Sequence, residues 1–134
     1  MKTTVRAVLV NQSQQCLLVQ HNEWDPDNMG KWSTAGGRLE RNETHELCLK
    51  RELVEEFGSS IAEKIKVGPK LHENTRTDRI DFFYAVWFSG EDVTVIARDE
   101  ILDHKWCSLD EAKQMNLFFG FEADLFLKAL SLVR

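Results

Sequence analysis

The chain has 134 residues, of which 43% are hydrophobic and 29% charged, with a formal net charge of −5. That length and mix suit a single globular domain over residues 1–134 with a core large enough to fold unaided. The acidic balance argues against a protein that wraps duplex nucleic acid, yet allows a small phosphorylated ligand held through metal ions.

The first residues, Met1 to Arg6, lack the apolar core of a signal peptide, and no apolar run approaches the ~20 residues of a membrane helix. A cytoplasmic location is the expectation. Thr4 to Val10 is β-branched and apolar, and Gln15 to Gln20 returns after a polar turn, which predicts a hairpin. Glu23 to Lys31 is rich in breakers and reads as a loop. Trp32 to Arg38 is short, extended and ends in two glycines. Thr44 to Phe57 is the clearest helix, with Thr44 or Asn42 as N-cap and Gly58 just past its end. Ile65 to Leu71 and Ile80 to Phe88 read as strands. The second is almost continuously apolar and is expected at the centre of a sheet, with Asn74 to Arg79 as a polar loop before it. Val93 to Ala97 and His104 to Cys107 are shorter candidate strands. Ser108 with Glu111 three residues on is a capping-box pattern, and Phe118 to Leu132 reads as a last helix. Together these elements predict an α/β fold with a mixed sheet. Cys16, Cys48 and Cys107 are dispersed in apolar surroundings and are expected as buried free thiols.

The helix from Thr44 carries an unusual charge pattern. At about 100° per residue, Glu52, Glu55 and Glu56 share an arc of roughly 100°. Leu53, Phe57, Val54 and Leu47 then fall roughly opposite, although Lys50 projects into that apolar arc. Like charges four residues apart repel, and Glu55 and Glu56 lie at the negative end of the helix dipole. A hard divalent cation with oxygen ligands would relieve both penalties. A solvated acidic face is the competing reading, and the helix alone leaves both open. Gly36-Gly37 just upstream can bring backbone close to a ligand, and Arg51 is within reach of Glu55.

The register of the run Gly37 to Ser59 is more specific. Gly37, Glu43, Arg51, Glu52, Leu53, Glu55, Glu56 and Gly58 stand at the spacings Gly, five residues, Glu, seven residues, Arg-Glu-apolar-x-Glu-Glu-x-Gly. This resembles the Nudix box, and the chain is identified as similar to MutT-like Nudix hydrolases. Three positions depart from the usual pattern. Ala35 stands where a proline commonly precedes the glycines. Asn42 replaces a common glycine, and Asn tolerates left-handed backbone. Ser59 stands where an apolar residue closes the box, a contact Ile61 is placed to supply.

The resemblance implies a Nudix fold, a mixed β-sheet sandwiched between α-helices (α/β/α). It implies an acid anhydride hydrolase with Mg²⁺ or Mn²⁺ held by Glu52, Glu55, Glu56 and the Gly37 carbonyl. Glu43 and Arg51 would pair to fix the loop against the helix, and Glu52 or Glu100 would be the general base. Arg38 would contact phosphate. Arg76 and Arg79, in the polar loop before the apolar strand, are further candidate clamps by the chemistry of arginine itself, with a solvated turn as the competing reading. Trp32, Phe118 and Asn116 are the candidates for base contacts, against a core-packing role for the aromatics and a helix-capping role for Asn116. The implied substrate is a nucleoside diphosphate linked to another group. A nucleoside triphosphate or oxidised nucleotide, giving the monophosphate and pyrophosphate, comes first. ADP-ribose, a dinucleoside polyphosphate or a nucleotide sugar are the alternatives. A non-catalytic nucleotide-sensing module would carry a damaged box, and here every carboxylate is kept. Family members are often homodimers, on which this chain's own residues are silent.

Overall fold

In this computed structural model the described residues are 1–23 and 25–132; Trp24, inside the expected loop, lies outside them. The sheet is built around two strands that run parallel, β1 (Lys2–Val10) and β6 (Arg79–Phe88), in register from Lys2 against Arg79 to Val10 against Trp87. On its other edge β1 pairs antiparallel with β4 (Ala35–Arg38) and, only at Val10 against Cys16, with β2 (Cys16–His21). β2 goes on to pair with β3 (Trp32–Ser33) and β7 (Ile101–Cys107), while β5 (Ile65–Arg76) flanks β6.

The expected hairpin is therefore only its turn. Asn11 closes that turn by accepting the Ser13 and Gln15 N–H groups, after which the strands diverge to other partners. The central, two-sided placement of β6 follows the apolar run that predicted it. Asn74 to Arg79 is not a loop. β5 continues to Arg76, and a two-residue turn at Thr77-Asp78 leads into Arg79. Val93 to Ala97 is not a strand either. The N–H groups of Ile96 and Ala97 donate to the Glu56 carbonyl at 2.9 and 3.4 Å, so the segment caps a helix end instead of joining the sheet.

Side chains alternate along β1. Val5, Ala7 and Leu9 enter a core beneath α1 (His45–Phe57), with Leu49, Leu53 and Phe57. Val8 and Val10 enter a second core beneath α2 (Leu109–Gln114) and α3 (Glu122–Leu130), with Leu125 and Phe126. Helices thus cover both faces of a mixed sheet. Among the described residues no helix is long and apolar enough to cross a membrane. All three cysteines are buried and free.

Caps follow the sequence closely. The Thr44 side chain accepts from the Leu47 N–H, Gly58 ends α1 at φ +95°, and both halves of the Ser108–Glu111 capping box are present. Asn42 adopts φ +64°, and Ile61 is buried against the first core. The last helix starts four residues later than expected (Glu122, not Phe118). Gly120 turns left-handed at φ +93°, and the buried Glu122 carboxylate accepts the Phe119 and Gly120 N–H groups.

The face of α1 also differs from the helical-wheel expectation. The buried residues are Cys48, Leu49, Leu53, Glu56 and Phe57, whereas Leu47 is 56% exposed. Glu56, and largely Glu52, therefore belong to the inward face. Lys50 lies outside that face, half-exposed and paired with Glu46 at 3.6 Å.

Candidate active site

Carboxylates can face a sheet only where the sheet makes room, and β4 does so with two glycines. A Cβ on Gly36 would stand 2.3 Å from the Val5 carbonyl oxygen, and one on Gly37 would stand 2.3 Å from the Glu52 carboxyl carbon. Glu56 Oε1 accepts the Gly36 N–H at 3.3 Å, while its Oε2 is buried without a hydrogen-bond partner among the described residues. Burial, with the charges of Glu52 and Glu100 adding to it, pushes the Glu56 carboxyl up to about 8, against the pull of the Gly36 N–H and Arg6. Burial raises Glu52 too, opposed by its bond from Arg51.

Arg51 holds the outer part of this cluster. Its Nε and Nη2 donate to Glu43 at 2.6 and 2.9 Å, Nη2 also to the Arg38 carbonyl at 2.8 Å, and Nη1 to Glu52 at 2.8 Å and Glu55 at 3.3 Å. The expected Glu43–Arg51 pair is thus a two-pronged fork, and it holds the Glu43 carboxyl down to about 2. Among the described residues no three His, Cys, Asp or Glu side chains already stand close enough to hold one ion. Arg51 draws Glu52 and the exposed Glu55 to itself instead.

Beyond the glycines opens a cleft of about 320 Å³. Arg6, Lys31, Arg38 and Arg79 line it together with Glu23, Asp99 and Glu100, and Phe118 gives it an aromatic wall. Arg38 also borders the shallow depression formed with Arg51, Glu52 and Glu55, so it joins the cleft to the acidic helix. Within the cleft, burial pushes His21 down to about 4, with the Arg6 charge adding to it, so the ring is neutral at pH 7. His21 Nε2 lies 3.3 Å from the Thr34 carbonyl, which can only accept.

Behind the cleft, Asp81 is fully buried. It accepts from Thr4 Oγ1 at 2.5 Å and from Arg76 Nε and Nη2 at 2.8 and 2.9 Å, with Arg6 Nε 3.7 Å away. Burial alone would raise this carboxyl, but Arg76, Thr4 and Arg6 together hold it below its ordinary value. The Arg76 guanidinium in turn lies over the Phe118 and Phe119 rings, 5.7 and 5.1 Å from their centroids.

The NUDIX domain family model matches residues 1–127. The chain belongs to the Nudix hydrolase family. It is 34% identical over 103 residues to the NAD-capped RNA hydrolase NudC of Pseudomonas aeruginosa, a match covering 77% of this chain and 35% of that protein. The chain thus spans about a third of the length of the curated relatives it matches. Among solved structures, a Nudix-family hydrolase from Clostridium perfringens superposes with a TM-score of 0.76 at 21% identity, covering 99% of this chain and 98% of that one. The E. coli ORF135 protein superposes at 0.68 with 28% identity, covering 100% and 95%.

Seen as a Nudix site, the structure sorts the residues singled out by sequence. Gly37, Arg51, Glu52, Glu55 and Glu56 converge where β4 meets α1. Arg38, Arg79, Glu100 and Phe118 border the cleft. Arg76 sits behind it, committed to Asp81. Trp32 packs against the second core, and Asn116 is exposed; neither borders the cleft. These two are joined through backbone, Trp32 N–H to the Asn116 carbonyl at 2.9 Å. Nor does Asn116 cap the last helix, whose N-cap position is Phe121. Sequence reasoning missed Thr4, Arg6 and Asp81. Their signal was present: a carboxylate inside an apolar central strand must find partners, and Thr4 and Arg6 share a face of β1 at period two.

Proposed function

We propose that this domain is a divalent-metal-dependent pyrophosphohydrolase that cleaves a phosphate–phosphate bond in a nucleoside diphosphate-linked substrate, a nucleoside triphosphate first. The observation that carries this reading is Glu56 Oε2, buried with no hydrogen-bond partner among the described residues, within reach of the charges of Glu52 and Glu100 and behind the two glycines that line an arginine-bearing cleft. A buried carboxylate oxygen with no donor suits a hard cation, which would take the place of the proton that burial otherwise keeps on Glu56. Glu52, Glu55 and Glu56, with the Gly37 carbonyl, would hold Mg²⁺ or Mn²⁺. Bound there, the ion neutralises phosphate oxygens and stabilises the leaving group.

The remaining roles fall to the chain's own side chains. Arg38, between cleft and acidic helix, holds the phosphate chain, and Arg79 and Lys31 extend that hold. Phe118 offers a face to the base. Arg51 fixes Glu52 and Glu55 and is a positioning residue. Between the two candidates for the base, Glu52 already spends an oxygen on Arg51, whereas the Glu100 carboxylate has no hydrogen-bond partner among the described residues. This favours Glu100 as the group that takes the proton of the attacking water.

A second reading is favoured by the likeness to NudC: a dinucleotide, or an RNA end capped by one, as substrate. Hydrolysis with Mg²⁺ over a panel of nucleoside triphosphates, oxidised nucleotides, ADP-ribose, dinucleoside polyphosphates, NADH and NAD-capped RNA separates the two, with products identified. Tight nucleotide binding without turnover of any of them would sink the enzyme reading.

A further inference from the structure

The Glu100 carboxylate sits on a segment without secondary structure, between the end of β6 and the start of β7. Its side chain is exposed and borders the cleft beside Gly36 and Gly37, and two sets of backbone bonds fix the segment there. On one side the Ile96 and Ala97 N–H groups are tied to the Glu56 carbonyl. A turn follows in which the Glu100 and Ile101 N–H groups donate to the Ala97 carbonyl at 3.0 and 2.9 Å. On the other side stands Asn22. Its backbone N–H donates to the Glu100 carbonyl at 2.7 Å, and its side-chain Nδ2 donates to the Asp99 carbonyl at 3.0 Å.

Asn22 reaches this position through a register fault. β2 and β7 pair regularly down to Gln20 against Asp103, and then His21 pairs with Ile101, skipping Leu102. Such a bulge bends a strand and re-aims the residues beyond it. Here it turns the end of β2 toward the cleft that His21, Asn22 and Glu100 all border. The Asn22 side chain thus grips the peptide just before Glu100 while its backbone grips Glu100 itself.

We propose that Asn22 is a positioning residue that holds Glu100 at the cleft it shares with Gly37, where the Glu100 charge adds to those of Glu52, Glu55 and Glu56 in attracting the cation. This rests on the metal-dependent reading above. The amide is needed because the group it meets, the Asp99 carbonyl, can only accept. An isosteric carboxylate would replace that bond with repulsion, next to Asp99 and Glu100. The backbone bond survives any substitution at 22 that keeps the N–H, so the side chain sets how narrowly Glu100 is held rather than whether the loop folds.

The test is a double-mutant cycle read in Mn²⁺ affinity of the free protein by electron paramagnetic resonance, which needs no substrate. Glu100→Gln and Asn22→Ala should each weaken Mn²⁺ binding, Asn22→Ala by about three- to ten-fold, as for loss of one hydrogen bond. Asn22→Asp should weaken it at least as much. In the Glu100→Gln background, Asn22→Ala should change nothing further, because a residue acting through Glu100 has no other route. Additive effects, or wild-type affinity in Asn22→Asp, would overturn the role of Asn22. Glu56→Gln serves as the separate control: if wild-type Mn²⁺ binding is absent or survives Glu56→Gln, the metal site itself is wrong.

Discussion

Gly37 and Glu52 are in contact across the β4–α1 boundary: a methyl group on Gly37 would lie 2.3 Å from both the carboxyl carbon and Oε2 of Glu52. The neighbour that must yield is the end of a side chain, not backbone. Gly37→Ala should therefore fold, with a melting temperature within a few degrees of wild type, but with Glu52 displaced. Its Mn²⁺ affinity and its kcat on the best substrate of the nucleotide panel should both fall, kcat by about a hundred-fold for a misplacement on the ångström scale. Unchanged kinetics in that variant would remove Glu52 from the ligand set.

Glu56 links pH to stability in the metal-free protein. Its carboxyl is pushed up to about 8 in the fold, from 4.5 as the ordinary value. Between these values the folded state binds a proton that the unfolded state has lost, so stability falls as pH rises from about 4.5 through 8. Thermal unfolding in chelator should show this decline. Mg²⁺ should reverse it near pH 8, and Glu56→Gln should flatten it. A melting temperature that rises over this window in chelator would contradict the assignment.

Arg51 bridges Glu43, Glu52, Glu55 and the Arg38 carbonyl with one planar group. A lysine ammonium cannot reproduce that fork. Arg51→Lys should behave nearly as badly as Arg51→Ala, with kcat reduced about a hundred-fold or more and KM little changed, as measured by steady-state kinetics. Full rescue by lysine would mean that only charge is required.

Asp81 neutralises Arg76 and Arg6 behind the cleft. Asp81→Ala leaves two cations without their carboxylate and is expected to destabilise the fold by about 3 kcal/mol in urea unfolding. Arg76→Ala, by contrast, should fold and act through the Phe118 wall it supports, raising KM more than it lowers kcat. A selective kcat loss would instead mean that Arg76 reaches the phosphates.

Much of the fold was legible locally. Thr44, Gly58 and Ser108–Glu111 marked helix ends because caps are made by residues next to the backbone groups they satisfy. The apolar run in β6 marked a two-sided strand. The errors share one cause. Val93 to Ala97 carries strand-like residues, but its Ile96 and Ala97 N–H groups were claimed by the Glu56 carbonyl. Arg76 has the chemistry of a phosphate clamp, but a buried carboxylate five residues on claims it first. The α1 wheel put the apolar arc opposite the acids, because hydrophobicity alone does not reveal that a glycine strand lets Glu56 turn inward.

The acidic arc of the helix and its ends were fixed by spacing along the chain, because helical periodicity and capping act within a few residues. The register of Gly37 to Ser59 carried the resemblance to Nudix hydrolases, and that resemblance implied the Glu43–Arg51 support. Tertiary structure decided the rest: which carboxylate is buried and unpartnered, which arginines face the cleft, and how Asn22 grips the loop of Glu100. Those outcomes depend on burial and on competition for hydrogen-bond partners between segments far apart in the chain, and neither exists until the chain has folded.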